Sequence, residues 1–91
     1  MLVTDNARDF LKELFKRNGM EAISLQQSAG CCGGGTLNIA YERIYNDSYY
    51  FINDTKVYCY NLSDDEIKNI AIDSDGSKII IKSIDELLNN N

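Results

Sequence analysis

Two thiols stand next to each other at Cys31-Cys32, inside the run Gly30-Cys31-Cys32-Gly33-Gly34-Gly35. Thiolates are the soft ligands and nucleophiles of proteins, and their reactivity follows pKa and access. Glycines cannot shield them, and a glycine run holds neither helix nor strand well. Glycine also leaves backbone N–H groups free to gather around an anion, which favours the thiolate form. It lets a bulky cofactor approach the chain closely. The protein has three Cys and no His, Trp or Pro, so metal, cluster or electron chemistry is expected at this loop. The plainer reading is a flexible strand-to-strand turn with two small packed thiols.

The third thiol, Cys59, falls within an expected strand, in phase with Val57 and Asn61 and out of phase with Tyr58 and Tyr60. It reads as a buried structural cysteine. A ligand role for Cys59 requires its strand to lie beside the glycine loop. A closed tetrahedral zinc site takes four Cys or His ligands. One chain with three Cys and no His cannot build it without carboxylates or a partner. Adjacent cysteines also form a strained disulfide. They bite one metal less easily than cysteines with two residues between them. The pair therefore suits an open, labile or subunit-shared site, or thiol exchange.

Other chemistry is sparse. Without His there is no Ser/His/Asp arrangement, and no phosphate-loop pattern occurs. Tyr49-Tyr50 and Tyr58/Tyr60 fit half-buried strand aromatics better than a ligand stack. Asp64-Asp65-Glu66 complements a helix start better than it holds a hard cation.

The elements that must position these residues make one domain over 1–91. A helix is expected from about Asp5 to Asn18, with Thr4 or Asp5 as N-cap and Gly19 as the stop. Ala7, Phe10, Leu11, Leu14 and Phe15 form its apolar stripe, and Phe10, Leu11 and Leu14 should pack it onto a sheet. Strands are expected at Ala22–Gln26, Thr36–Glu42, Tyr49–Ile52 and Thr55–Tyr60, the last two a hairpin through Asn53-Asp54. Ser63-Asp64-Asp65-Glu66 is a capping box opening a short helix. A second hairpin joins Ile70–Asp73 to Lys78–Lys82, and Ser83–Glu86 opens a terminal helical turn. Asn89–Asn91 should fray. Runs of strands without alternating long helices predict an α+β fold with a mainly antiparallel sheet.

Charge excludes some partners. The net charge is −5 and the nine Lys and Arg are scattered, so no nucleic-acid footprint and no anionic-membrane patch is expected. Met1–Asp5 lacks a signal-peptide start, and no apolar run approaches the ~20 residues of a membrane span. A cytoplasmic location is expected, with free or ligating thiols rather than disulfides.

The order of features resembles the HesB-like family, the domain of the A-type iron–sulfur carriers and their relatives. The resemblance lies in the helix opening Thr4-Asp5-Asn6-Ala7, then Ala22-Ile23-Ser24-Leu25, then the Gly-Cys-rich loop, then Leu37-Asn38-Ile39-Ala40-Tyr41. Tyr50 to Tyr58 is similar to that family's inner hairpin, and Ile70–Ile81 stands where its last strands fall. The resemblance implies a compact β-rich fold with a leading helix. It implies thiols, at Cys31 or Cys32, that hold iron or an iron–sulfur cluster at a subunit interface, hence a homo-oligomer and an assembly or redox partner protein. The family's carriers have a C-terminal Cys-Gly-Cys, whereas this chain runs Lys82-Ser83-Ile84-Asp85-Glu86-Leu87-Leu88. In that respect it resembles the family's short relatives.

Three functions follow as expectations. The first is an iron or iron–sulfur carrier or assembly-related protein, with Cys31 and Cys32 as ligands, Gly30, Gly33, Gly34 and Gly35 as the cradle, and Cys59 as a lesser candidate. The second is a small thiol redox protein in which one of the vicinal cysteines attacks and the other resolves. The third is an interaction module with structural cysteines.

Overall fold

A computed structural model describes residues 1–28 and 36–88. The element order is β1 (Leu2–Val3), α1 (Asp5–Asn18), β2 (Ala22–Ser28), β3 (Thr36–Glu42), β4 (Tyr50–Ile52), β5 (Thr55–Tyr60), α2 (Asp64–Lys68), β6 (Ile70–Ser74), β7 (Ile79–Ser83) and α3 (Ile84–Leu88). This is the expected α+β class with a leading helix. The expectation for Asn89–Asn91 lies outside the described residues.

Local chemistry sets the helix ends. The Ala7 N–H donates to Thr4 Oγ1 at 3.2 Å, making Thr4 the N-cap of α1. At the other end Gly19 adopts φ +65°, a left-handed cap that side-chain-bearing residues resist. In α2, Ser63 and Glu66 satisfy each other's backbone N–H groups in a full capping box. The β4–β5 hairpin turns on Asn53 and Asp54 with φ +49° and +64°, the left-handed pair that matches strand twist.

The strands divide into two sheets, ordered β1-β6-β7 and β3-β2-β5-β4. Antiparallel pairings outnumber parallel ones, but each sheet holds one parallel pair, β1 with β6 and β2 with β5. A single core lies between them. Ile23, Leu25 and Val57 from the inner face of the larger sheet meet Val3, Ala7, Leu11, Ile70 and Ile72. Phe10, Leu14 and Phe15 pack against this cluster from half-buried positions, so the apolar stripe of α1 is core as predicted.

Polar ties fasten the start of α1 to both sheets. The Thr4 hydroxyl donates to Asp73 Oδ1 at 2.7 Å, joining the α1 cap to β6. Asn53 Nδ2 donates to the Val3 carbonyl at 2.9 Å and to Asp5 Oδ1 at 3.0 Å, joining the β4–β5 turn to the start of α1.

Candidate functional site

β2 and β3 pair without interruption from Ala22↔Glu42 to Ser28↔Thr36. Ile23 and Leu25 put large aliphatic side chains into the core, whereas the buried positions on the other face, Ala22 and Ser24, are small, and this size difference fixes the register. A one-residue slip would exchange inner and outer faces. Residues 29–35 therefore link two strand ends held in a single alignment. The sequence's main candidates, Gly30, Cys31, Cys32, Gly33, Gly34 and Gly35, belong to that link and lie outside the described residues.

Cys59 is described. It sits on β5 directly beside Leu25 in the parallel pairing with β2. Both strands run toward the same end of the sheet. Leu25 precedes Ser28 by three residues, about 10 Å of strand. The strand of Cys59 thus does neighbour the strand that leads into the glycine link. Its chemistry points the other way. The thiol is half-buried against the core, and loss of solvation pushes its pKa up to about 11. Burial thus favours its protonated form, which lowers its reactivity as a nucleophile at neutral pH. Among the described residues no group of three or more His, Cys, Asp or Glu is arranged to hold a metal ion.

The tyrosines depart from the sequence pairing. Tyr50 pairs with Val57 and so takes the inner face of the sheet. Tyr49 instead joins Tyr58 and Tyr60 on the outer face, and Tyr45 adds to them. Tyr45 stacks on Tyr58 at 4.5 Å, Tyr60 lies nearly parallel to Tyr58 at 6.4 Å, and Tyr49 meets it edge-on at 5.9 Å. Tyr58 is buried, and its hydroxyl donates to the Asn46 carbonyl at 2.8 Å while accepting from the Tyr45 and Asn46 N–H groups. Glu42, on the same outer face, has one carboxylate oxygen buried with no partner among the described residues. Neither Tyr45 nor Glu42 is expected at a site from the sequence. Strand alternation was the available signal for Glu42, which is in phase with Asn38 and Ala40.

A separate cleft of about 550 Å³ opens between α1 and the β6–β7 turn, with Asp9, Glu13, Arg17 and Asp75 around Phe10 and Leu14. It contains no thiol. Asp64, Asp65 and Glu66 form the first turn of α2, as helix-start acids should. No helix among the described residues is long and apolar enough to cross a membrane.

No family model matches the chain, and no curated protein matches it.

Proposed function

We propose that this protein binds iron or an iron–sulfur cluster through Cys31 and Cys32, as a HesB-like carrier or assembly-related protein. The observation that carries this reading is the contrast between the thiols. Burial holds Cys59 protonated, so thiolate chemistry falls to the vicinal pair on the glycine-rich link. The register from Ala22↔Glu42 to Ser28↔Thr36 supports it, because it anchors both ends of that link. Cys31 and Cys32 suit the group as soft donors, and a bound cluster would supply electron or cluster transfer. Clusters of this kind take four Cys ligands, so two thiols per chain favour a site shared by two copies. The partners in this reading are a second copy of the chain and an assembly or redox protein, in the cytoplasm.

Anaerobic addition of ferrous iron and sulfide tests it. A brown protein that keeps its visible absorption through desalting is the expected result. A colourless protein overturns the reading. If that colourless protein interconverts Cys31 and Cys32 between dithiol and disulfide, passing two electrons and two protons to glutathione disulfide, the thiol redox function replaces it.

A further inference from the structure

β7 is an edge strand, and among the described residues its only strand partner is β6. The two run antiparallel from Ile70↔Ser83 to Ser74↔Ile79. Contacts at both ends fix which way the peptide groups of β7 point. The Ile84 N–H donates to the Asn69 carbonyl at 2.8 Å, one step beyond the ladder. At the other end the Lys78 N–H donates to Asp75 Oδ1 at 3.1 Å, and the Ser74 hydroxyl donates to the Lys78 carbonyl at 2.8 Å. Backbone groups in an antiparallel pair alternate in direction along the strand. Lys78, Ile80, Lys82 and Ile84 therefore turn their peptide groups toward β6. The N–H and carbonyl groups of Ile79 and Ile81, and the Ser83 N–H, turn away from it.

Such edges are ordinarily blunted by a charge, a proline or a bulge. Ile79, Ile80 and Ile81 carry none of these, since the chain has no Pro and the register with β6 is continuous. The nearest charge, Lys82, is turned onto Asp73, with Nζ 3.7 Å from Oδ2. All three isoleucines are half-buried. The other sheet edges are shorter or more polar. β1 has two residues and β4 three, and β3 carries exposed Asn38 and the Glu42 carboxylate.

We propose that β7 pairs antiparallel with β7 of a second copy of this chain, about a two-fold axis at Ile81, joining two three-stranded sheets into one. This register matches the outward groups. Ile81 exchanges both bonds with its counterpart, and Ile79 faces Ser83 of the other copy on each side of the axis. Ile80 falls opposite Lys82 of the other copy, whose aliphatic stem covers it. Lys78 falls opposite Ile84 of the other copy, next to Asp85 and Glu86. None of Lys78, Asp85 and Glu86 is in an ion pair among the described residues. The ends of the interface are thus complementary in charge, twice by symmetry. An axis at Ile80 would also use outward groups, but it sets Lys78 against Lys82 of the other copy, and like charges directly opposite are unfavourable. No thiol takes part, so this dimer forms without metal.

Sedimentation equilibrium of the full chain, with chelator and reductant present, tests the pairing. A reversible monomer–dimer equilibrium with a Kd of about 100 μM or tighter is expected. The Cys31→Ser/Cys32→Ser variant should dimerise equally, which separates this contact from a dimer bridged by a cluster. Ile80→Lys sets a lysine opposite Lys82 of the other copy and should weaken dimerisation at least about tenfold. Lys78→Glu, at an exposed position, should also weaken it, and Lys78→Glu/Asp85→Lys should restore it. The exposed position keeps the test open if Ile80→Lys fails to fold. A monomer at every concentration up to ~1 mM, a dimer that appears only with iron and sulfide, or a dimer unchanged in the folded variants overturns the proposal.

Discussion

Leu25 and Cys59 are direct neighbours in a parallel strand pair, one fully buried and the other half-buried against the same core. A thiol in that position is desolvated by packing, and this outweighs the opposing pull of the N-terminal ammonium on its pKa. Alkylation under native conditions should label Cys31 or Cys32 well before Cys59, read by peptide mapping with mass spectrometry. Cys59→Ser should lower stability by about 1–3 kcal/mol, because its hydroxyl gains no partner there. First labelling at Cys59 would reverse the assignment of the thiols.

The same burial has a pH signature. The Cys59 pKa rises from 9.0 to about 11 on folding, so the unfolded chain loses this proton first. The contribution is fully present below pH 9 and is lost as pH rises through about 11. Denaturant melts across that window should fall less steeply for Cys59→Ala than for the wild type. Parallel curves would mean that the thiol is not desolvated.

Thr4 and Asp73 give the opposite dependence. The Thr4 hydroxyl, the Ser74 N–H and Lys82 hold the Asp73 carboxyl below its usual value of 3.8. A depressed carboxyl contributes above its unfolded pKa, and the contribution is lost as pH falls through the lower folded value. Acid melts should show that loss below pH 3.8 in the wild type and not in Asp73→Asn. Thr4→Ala should cost about 1–2 kcal/mol from the lost cap alone.

Much of this framework was readable in the chain. Thr4 and Gly19 bracket α1 because caps are local chemistry, and both ends fell where predicted. Strand alternation set Cys59 in phase with Val57 and out of phase with Tyr58 and Tyr60, and β5 keeps that division. Leu2–Val3 was missed because two residues carry no period; they become a strand only by pairing with Ala71 and Ile72. The parallel pairing of β2 with β5 was equally hidden, since it is a choice between distant segments. At the candidate site the vicinal thiols stood out by glycine density. The condition on Cys59, that its strand lie beside the one entering the loop, needed the fold. Tyr45 was invisible because it belongs to an irregular segment, and only the strand order β3-β2-β5-β4 carries that segment across the sheet past Tyr58.

Tyr58→Phe tests that crossing segment. The substitution removes the donor to the Asn46 carbonyl and the acceptor for two N–H groups, while leaving the ring stack in place. A cost of about 1–2 kcal/mol is expected by chemical denaturation, together with faster amide exchange at Tyr45 and Asn46. Unchanged exchange would mean that the segment is held by the rings alone.

Leu11 and Leu14 share one stripe of α1 but differ in burial, Leu11 being 1% exposed and Leu14 half-buried. Leu11→Ala should cost about 2–5 kcal/mol and Leu14→Ala distinctly less, because its site is partly open to water. Equal costs in thermal melts would place both in the same closed core.

Iron and acid-labile sulfide per chain, measured on anaerobically purified protein, bear most directly on the thiol assignment. Both should be bound by the wild type and by Cys59→Ser, and both should be absent from the Cys31→Ser/Cys32→Ser double variant while its circular dichroism stays that of the wild type. Iron and sulfide retained in full by the double variant, or absent from the wild type, would contradict it.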